Sequence, residues 1–325
     1  MSQSDLAPSP FSAASSVGVV PADLILRSSD GVDFYVHKYV IVKASTDAFK
    51  DASCPVTHPS KDVNGFLQTV PIVCVKDPRD VVYRLLLLSY EAPIEGYPVD
   101  MLQGVHVIYR VAYGYNMFGI CAKLRAIMHA RMAAEPLRVF AIACNLALAQ
   151  TVKFASLETL KDPDQLCSGE YDAEEYAWVT GSKVLSLIRF RVRCSEVAGT
   201  AVDKQRKGIT ELESDEALAA GGLCWWSATG HARGCGGWME GSKTKVWNPA
   251  PWFQDHMARF HKAVVDLPGG ETAAEAVTNI DKTLLHLARC GRCASEGPKQ
   301  LRGLAARLKN DIDSQIEVTA NGWPF

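Results

Sequence analysis

Apolar residues first recur at the spacing of a strand. Residues 22–27 (ADLILR) and 33–37 (DFYVH) are short apolar or alternating runs, and Ser29, Asp30 and Gly31 between them supply Asp-Gly turn chemistry, which predicts a β-hairpin. In the following KYVIVKASTDAFKDA, Ser45 is placed to cap a new turn carrying Ala48 and Phe49 inward, so a short helical pair is expected. Residues 54–65 are polar and rich in breakers, as a loop would be. Residues 69–75 (TVPIVCV) predict a third strand, with Pro71 marking an edge or a terminus because it brings no N–H to a ladder.

The period then lengthens to that of a helix. Asp77 caps and Pro78 starts a helix with Val81, Val82, Leu85 and Leu88 on one face. Met101, Val105, Ile108 and Ala112 mark a second helix, and Ile120, Leu124, Ile127 and Met128 a third. Pro136 opens a fourth, striped by Leu137, Phe140, Ala141, Cys144 and Leu148, and a shorter one follows around Phe154, Leu157 and Leu160. The order predicts an α+β unit, a small sheet covered by a helical cluster.

Farther on, residues 174–200 predict a long helix with Val184, Ile188 and Val192 on one stripe. Residues 203–222, with KQRKG before ELESDE, carry opposite charge blocks and read as an exposed linker. Three more stripes follow at helical spacing: Phe253, Met257, Phe260 and Val264; Ala274, Val277, Leu284 and Leu287; Leu301, Leu304, Leu308 and Ile312. The expected organisation is a disordered tail over 1–20, a first domain over 21–162, a long helix within 163–202, a linker over 203–222 and a mainly α-helical C-terminal domain over 223–325.

The stretch from Asp23 to Asp51 resembles the BTB (POZ) pattern: an acidic residue opening the first strand, an aromatic, a hydrophobic, a His-Lys pair, then a Ser followed by Phe. Asp23, Phe34, Val36, His37, Lys38, Ser45 and Phe49 are the matching positions. Residues 135–160 are also similar to the helices that follow the BTB core in a large fungal group, so the resemblance covers about residues 20–162. It implies a protein-binding scaffold or adaptor that self-associates through this domain or docks to a cullin-type ubiquitin-ligase scaffold. Two departures stand against a direct transfer: residues 1–20 do not look like the swapped N-terminal helix of the usual animal dimer, and the segment 51–68 is longer and more polar than the minimal fold needs. His37 has no partner at metal-ligand spacing, and its expected role is structural, paired with Asp23.

Ten cysteines in 325 residues are too sparse for a disulfide scaffold, and no secretory leader is evident, so reduced thiols in cytoplasm or nucleus are expected. Two groups stand out. Cys224, His231 and Cys235 fall in a Gly-rich, tryptophan-bearing segment, and Cys290 and Cys293 form a Cys-x-x-Cys. A structural zinc takes four Cys or His ligands in a tetrahedron, so the expected set is Cys235, Cys290 and Cys293 with either Cys224 or His231. The competing reading is of reduced cysteines at the end of a packed helix. A thioredoxin-like pair would need a preceding strand. Trp225, Trp226, Trp238, Trp247 and Trp252 read as a compact core over this loop-rich segment.

Lys plus Arg count 34 against 36 acidic residues, a net charge of -2, and Arg189, Arg191 and Arg193 fan around their helix instead of lining one face. A nucleic-acid-binding field is therefore not expected, and with no stretch approaching about 18 consecutive apolar residues neither is a membrane span. No phosphate loop, dinucleotide fingerprint, nucleophile elbow or His-Glu-x-x-His is present, and an enzyme is not expected. The reading is a protein-protein interaction module. The alternatives are a zinc-dependent regulator contacting nucleic acid through its second half, and a ubiquitin-ligase substrate adaptor.

Overall fold

Asp30 and Gly31 turn the chain between β1 (Leu24–Arg27) and β2 (Asp33–Val36), with Gly31 at φ +83°, a left-handed conformation that glycine takes without a Cβ clash. Arg27 and Asp33 close the strand ends with a two-pronged ion pair at 2.6 and 2.7 Å. The computed structural model describes residues 7, 10–12, 21–45, 57–61, 67–90, 102–162, 173–211, 223–225, 231–232, 235, 238–240, 246–279 and 281–325. Its contacts divide the chain into two units, 1–151 and 152–325. The class is α+β, mostly helical with a small sheet.

In the first unit the sheet order is β2-β1-β4-β3, with β3 spanning Thr57–Lys61 and β4 spanning Leu67–Cys74; β1 runs parallel to β4 and the other pairs are antiparallel. The hairpin is as expected. Two features differ from the sequence reading. A strand, β3, runs through the expected loop, and β4 is an inner strand. Pro71 sits where two ladders change over: β3 pairing ends at Thr57 opposite Pro71, and β1 pairing begins at Ile72, so the missing N–H falls at the junction.

Alternation divides the sheet. Leu24, Leu26, Phe34, Val36 and Val73 pack with Ile41, Val82 and Leu86 of α1 (Lys38–Ala44) and α2 (Arg79–Tyr90), while Ile25, Val70 and Ile72 form a smaller cluster. Three helices follow, α3 (Val105–Gly114), α4 (Phe118–Arg131) and α5 (Pro136–Asn145), and the next, α6 (Ala149–Glu158), lies mostly in the second unit. Within the segment expected to be a tail, Phe11 is fully buried, its ring lies 5.3 Å from that of Tyr90, and its carbonyl accepts the Tyr35 N–H. On α6, Phe154 is 37% exposed, and Val152 and Ala155 are buried.

In the second unit α7 spans Gly181–Glu211, past the point where a linker was expected. Its buried stripe is Leu187, Phe190, Cys194, Ala198, Ala201 and Val202, whereas Val184, Ile188 and Val192 are exposed. The reason is close approach to α8 (Pro251–Asp266): a Cβ on Gly199 would stand 3.1 Å from His261 Nε2 and 3.2 Å from Val265 Cγ2, so the small-residue side faces inward. Arg191 is fixed by donating to the carbonyls of Thr159 and Asp266, and Arg193 pairs with Glu196 at 3.0 Å.

Helices α9 (Gly270–Thr278), α10 (Asp281–Leu287) and α11 (Gly291–Asn321) complete the bundle. The stripes of α8 and α11 are buried as expected; in α9 the inward residue is Ala273 beside Val277, not Ala274. Asp313 of α11 accepts the Gly270 N–H at 2.8 Å and so caps α9. Strands β5 (Trp238–Glu240) and β6 (Val246–Asn248) form a two-stranded ladder. Among the described residues no helix is long and apolar enough to cross a membrane.

Candidate metal centre

The last helix begins inside the cysteine motif. Cys290 is the N-cap of α11 with extended backbone, and Cys293 lies in the first turn, where the Ala294 N–H reaches back to the Cys290 carbonyl at 2.9 Å. Two thiols three residues apart at a helix start share one side of the terminus, where unpaired N–H groups favour negative charge. In the other group the Cys235 N–H donates to the Ala232 carbonyl at 3.0 Å, a turn that returns Cys235 toward His231.

The two groups meet. Nδ1 of His231 lies 3.3 Å from Cys290 Sγ and 3.3 Å from Cys293 Sγ, and Cys235 Sγ lies 3.5 Å from Cys293 Sγ. All four ligand atoms fall within 4.8 Å of one another, so His231, Cys235, Cys290 and Cys293 are placed to hold one metal ion. A zinc tetrahedron built on Zn–S of about 2.3 Å and Zn–N of about 2.0 Å has edges of roughly 3.8 Å between sulfurs and roughly 3.5 Å between sulfur and nitrogen, close to the spacings found. Cys290 and Cys293 are buried, and His231 and Cys235 are half-buried. The His231 Nε2 is buried with no hydrogen-bond partner among the described residues, which leaves room for the outer-shell acceptor that a metal-bound imidazole normally holds.

No protein-family model and no curated protein matches the chain. The geometry must carry the reading by itself.

Of the five candidates named from sequence, His231 lies in the close group with Cys235, Cys290 and Cys293, and Cys224 does not. Cys224 is fully buried and stands behind the cluster: its N–H donates to Gln300 Oε1 at 2.7 Å and its side chain hydrogen-bonds that of Cys293. Burial pushes the Cys224 thiol up to about 12. Burial also pushes Cys290 upward, but the N–H groups of Cys293 and Ala232, joined by the Cys293 and His231 side chains, outweigh it and bring its thiol down to about 6. Burial raises Cys235 and Cys293. The sequence reading missed those two N–H groups, because backbone donors have no residue signature.

Trp225 and Trp252 form an aromatic floor beside this segment. Trp225 stacks on Phe253 with ring centroids 4.5 Å apart and 4° between planes, Trp252 meets both edge-on, and Trp225 and Trp252 are buried as expected of a core. The side chains of Trp226, Trp238 and Trp247 lie outside the described residues.

Of the residues carrying the BTB resemblance, Phe34 is fully buried and His37 is buried with its ring Nδ1 3.1 Å from the Tyr90 hydroxyl. Asp23 accepts the Lys38 N–H at 2.6 Å, and the Ser45 hydroxyl donates to the Tyr115 carbonyl at 2.7 Å. Ser45 is the C-cap of α1, and the turn expected to carry Ala48 and Phe49 lies outside the described residues.

Proposed function

We propose that this chain is a non-enzymatic interaction protein of cytoplasm or nucleus, in which a BTB-like first unit serves as scaffold or adaptor and a structural zinc ion staples the second unit. The observation that carries the reading is the closed donor set: three sulfurs and one imidazole nitrogen within 4.8 Å supply all four tetrahedral positions. A catalytic zinc keeps a position open for water or substrate, and three thiolates with one imidazole favour zinc over harder cations. The tie joins His231 and Cys235 to the start of a 31-residue helix far along the chain, and such a tie contributes directly to folding.

The BTB-like reading of the first unit is supported by the motif residues from Asp23 to Ser45 and by the order of hairpin, helix, further strands and helical run. It makes a protein surface the functional output, with self-association or a cullin-type scaffold as the partner.

Elemental mass spectrometry of the purified full chain tests the metal. About one zinc per chain is expected, lost on combined Cys290→Ser and Cys293→Ser substitution; protein purified without chelator and free of metal overturns it. Co-purification of the full chain with a cullin N-terminal domain, together with its molar mass in solution, tests the first unit. A monomer that binds no cullin removes the scaffold reading.

A further inference from the structure

Cys235 differs from the other two candidate sulfur ligands. It is half-buried, while Cys290 and Cys293 are 2% and 0% exposed, and its Sγ is 3.5 Å from that of Cys293. A peroxide approaching from solvent therefore meets the Cys235 sulfur first, with a second sulfur already beside it. Cys290, in contrast, is wrapped by the N–H groups of Cys293 and Ala232 and by the His231 ring. Cys224, the remaining nearby thiol, is fully buried behind Cys293.

We propose that the Cys235–Cys293 pair is an oxidative modification site: a peroxide converts it to a disulfide, which removes two of the four ligands and releases the metal. This rests on the metal reading above. The Cys235 thiolate attacks one peroxide oxygen, an S–O bond forms, the O–O bond breaks, and the departing hydroxide takes a proton to become water. The Cys293 thiolate then attacks the Cys235 sulfur; the S–S bond forms, the S–O bond breaks, and the second oxygen leaves as hydroxide and is protonated to water. Two thiolates lose two electrons in total, and one hydrogen peroxide with two protons becomes two waters.

An S–S bond is about 2.05 Å long, so the sulfurs must close by about 1.5 Å from the 3.5 Å at which they stand. His231 and Cys290 remain as two ligands, too few to complete the tetrahedron that zinc takes in structural sites. The segment around residue 235 then stays joined to α11 by a covalent bond in place of the ion. A dithiol reductant restores the thiolates and allows zinc to rebind.

The test uses the zinc-loaded full chain treated with hydrogen peroxide, with released zinc followed by a chromogenic chelator and cysteine pairing mapped by peptide mass spectrometry. One zinc is expected to leave for each Cys235–Cys293 disulfide formed, reversed by dithiothreitol plus zinc, and the Cys224→Ala variant should behave the same. A Cys224–Cys293 disulfide, loss of zinc with only sulfinic acid, retention of zinc under oxidation, or a requirement for Cys224 each overturns the assignment. A chain that carries no zinc before peroxide defeats the metal reading instead. Mapping of that metal-free chain still shows whether Cys235 and Cys293 pair, and failure to pair overturns the modification site separately.

Discussion

The carboxylate of Asp30, carried on the β1–β2 turn, accepts the backbone N–H of Arg79 at 2.9 Å, so the hairpin caps the first turn of α2 from 49 residues away. Its Ser28 hydrogen bond is the largest influence holding the Asp30 carboxyl below its ordinary range, burial opposes it, and the Arg79 N–H adds to the lowering. Asp30→Ala is expected to cost about 0.5 to 1 kcal/mol, the range for loss of an exposed helix cap. Because the folded value is depressed, the contribution is complete above the unfolded carboxylate value of about 3.9 and disappears as pH falls through the lower folded value. Urea denaturation of both proteins checks this. The gap between them should narrow on acidification from pH 5, and a constant gap would refute the capping role.

Metal removal should loosen the second unit. A ligand that binds only the folded state stabilises it by mass action, and at a thousandfold excess over its Kd that amounts to about 4 kcal/mol. In a unit of this size about 1 kcal/mol corresponds to roughly 2 to 4 °C in Tm. Stripping with a strong chelator is therefore expected to lower the melting transition by on the order of 10 °C, and stoichiometric zinc should restore it. Loss of metal on acidification follows from proton competition for three thiolates and one imidazole. Calorimetry with and without chelator decides the matter, since unchanged melting would make the cluster irrelevant to stability.

Helix α7 allows a direct contrast between the apolar stripe that stands out in the sequence and the one the fold buries. Phe190 is fully buried, with its ring 5.6 Å from that of Trp323 and 5.1 Å from that of Phe325, whereas Val192 is 53% exposed. Phe190→Ala should cost about 3 to 5 kcal/mol through lost burial and a cavity, and Val192→Ser should stay within about 0.5 kcal/mol of the parent. Chemical denaturation of the two variants is the check. Equal losses would mean that both faces of α7 are packed in solution.

That contrast shows what periodicity can and cannot decide. The hairpin, α2 to α5, and the stripes of α8 and α11 were legible because one apolar face recurs at a single period and turn residues bound it. Two apolar faces compete in α7, and the choice turns on Gly199, whose small size matters only once α8 is known to lie against it, with Ala198 and Ala201 buried on the same side. Strand β3 is Thr-His-Pro-Ser-Lys, without alternation, and its pairing comes from backbone donors and acceptors. At the candidate metal centre the Cys-x-x-Cys was legible from spacing. The fourth ligand was not, because 54 intervening residues leave the approach of His231 or Cys224 to tertiary structure.

His256 is the buried imidazole whose protonation the second unit should resist. It is 2% exposed on α8, its Nδ1 lies 3.2 Å from the Thr283 hydroxyl and its Nε2 2.9 Å from the Val277 carbonyl, so one ring joins α8 to α9 and α10. Burial lowers its pKa, the Val277 carbonyl opposes the shift, and nearby Arg259 adds to the lowering. The unfolded imidazole, with a value of about 6.5, thus takes up a proton before the folded one does. The stabilisation is complete above about pH 6.5 and is lost as pH falls through the folded value. His256→Gln retains a donor and an acceptor without a titrating group, so its unfolding free energy should depend less on pH between about 6.5 and 5 than that of the parent. Parallel denaturation series across that window measure the difference, and identical slopes would show that the ring already accepts its proton in the folded state.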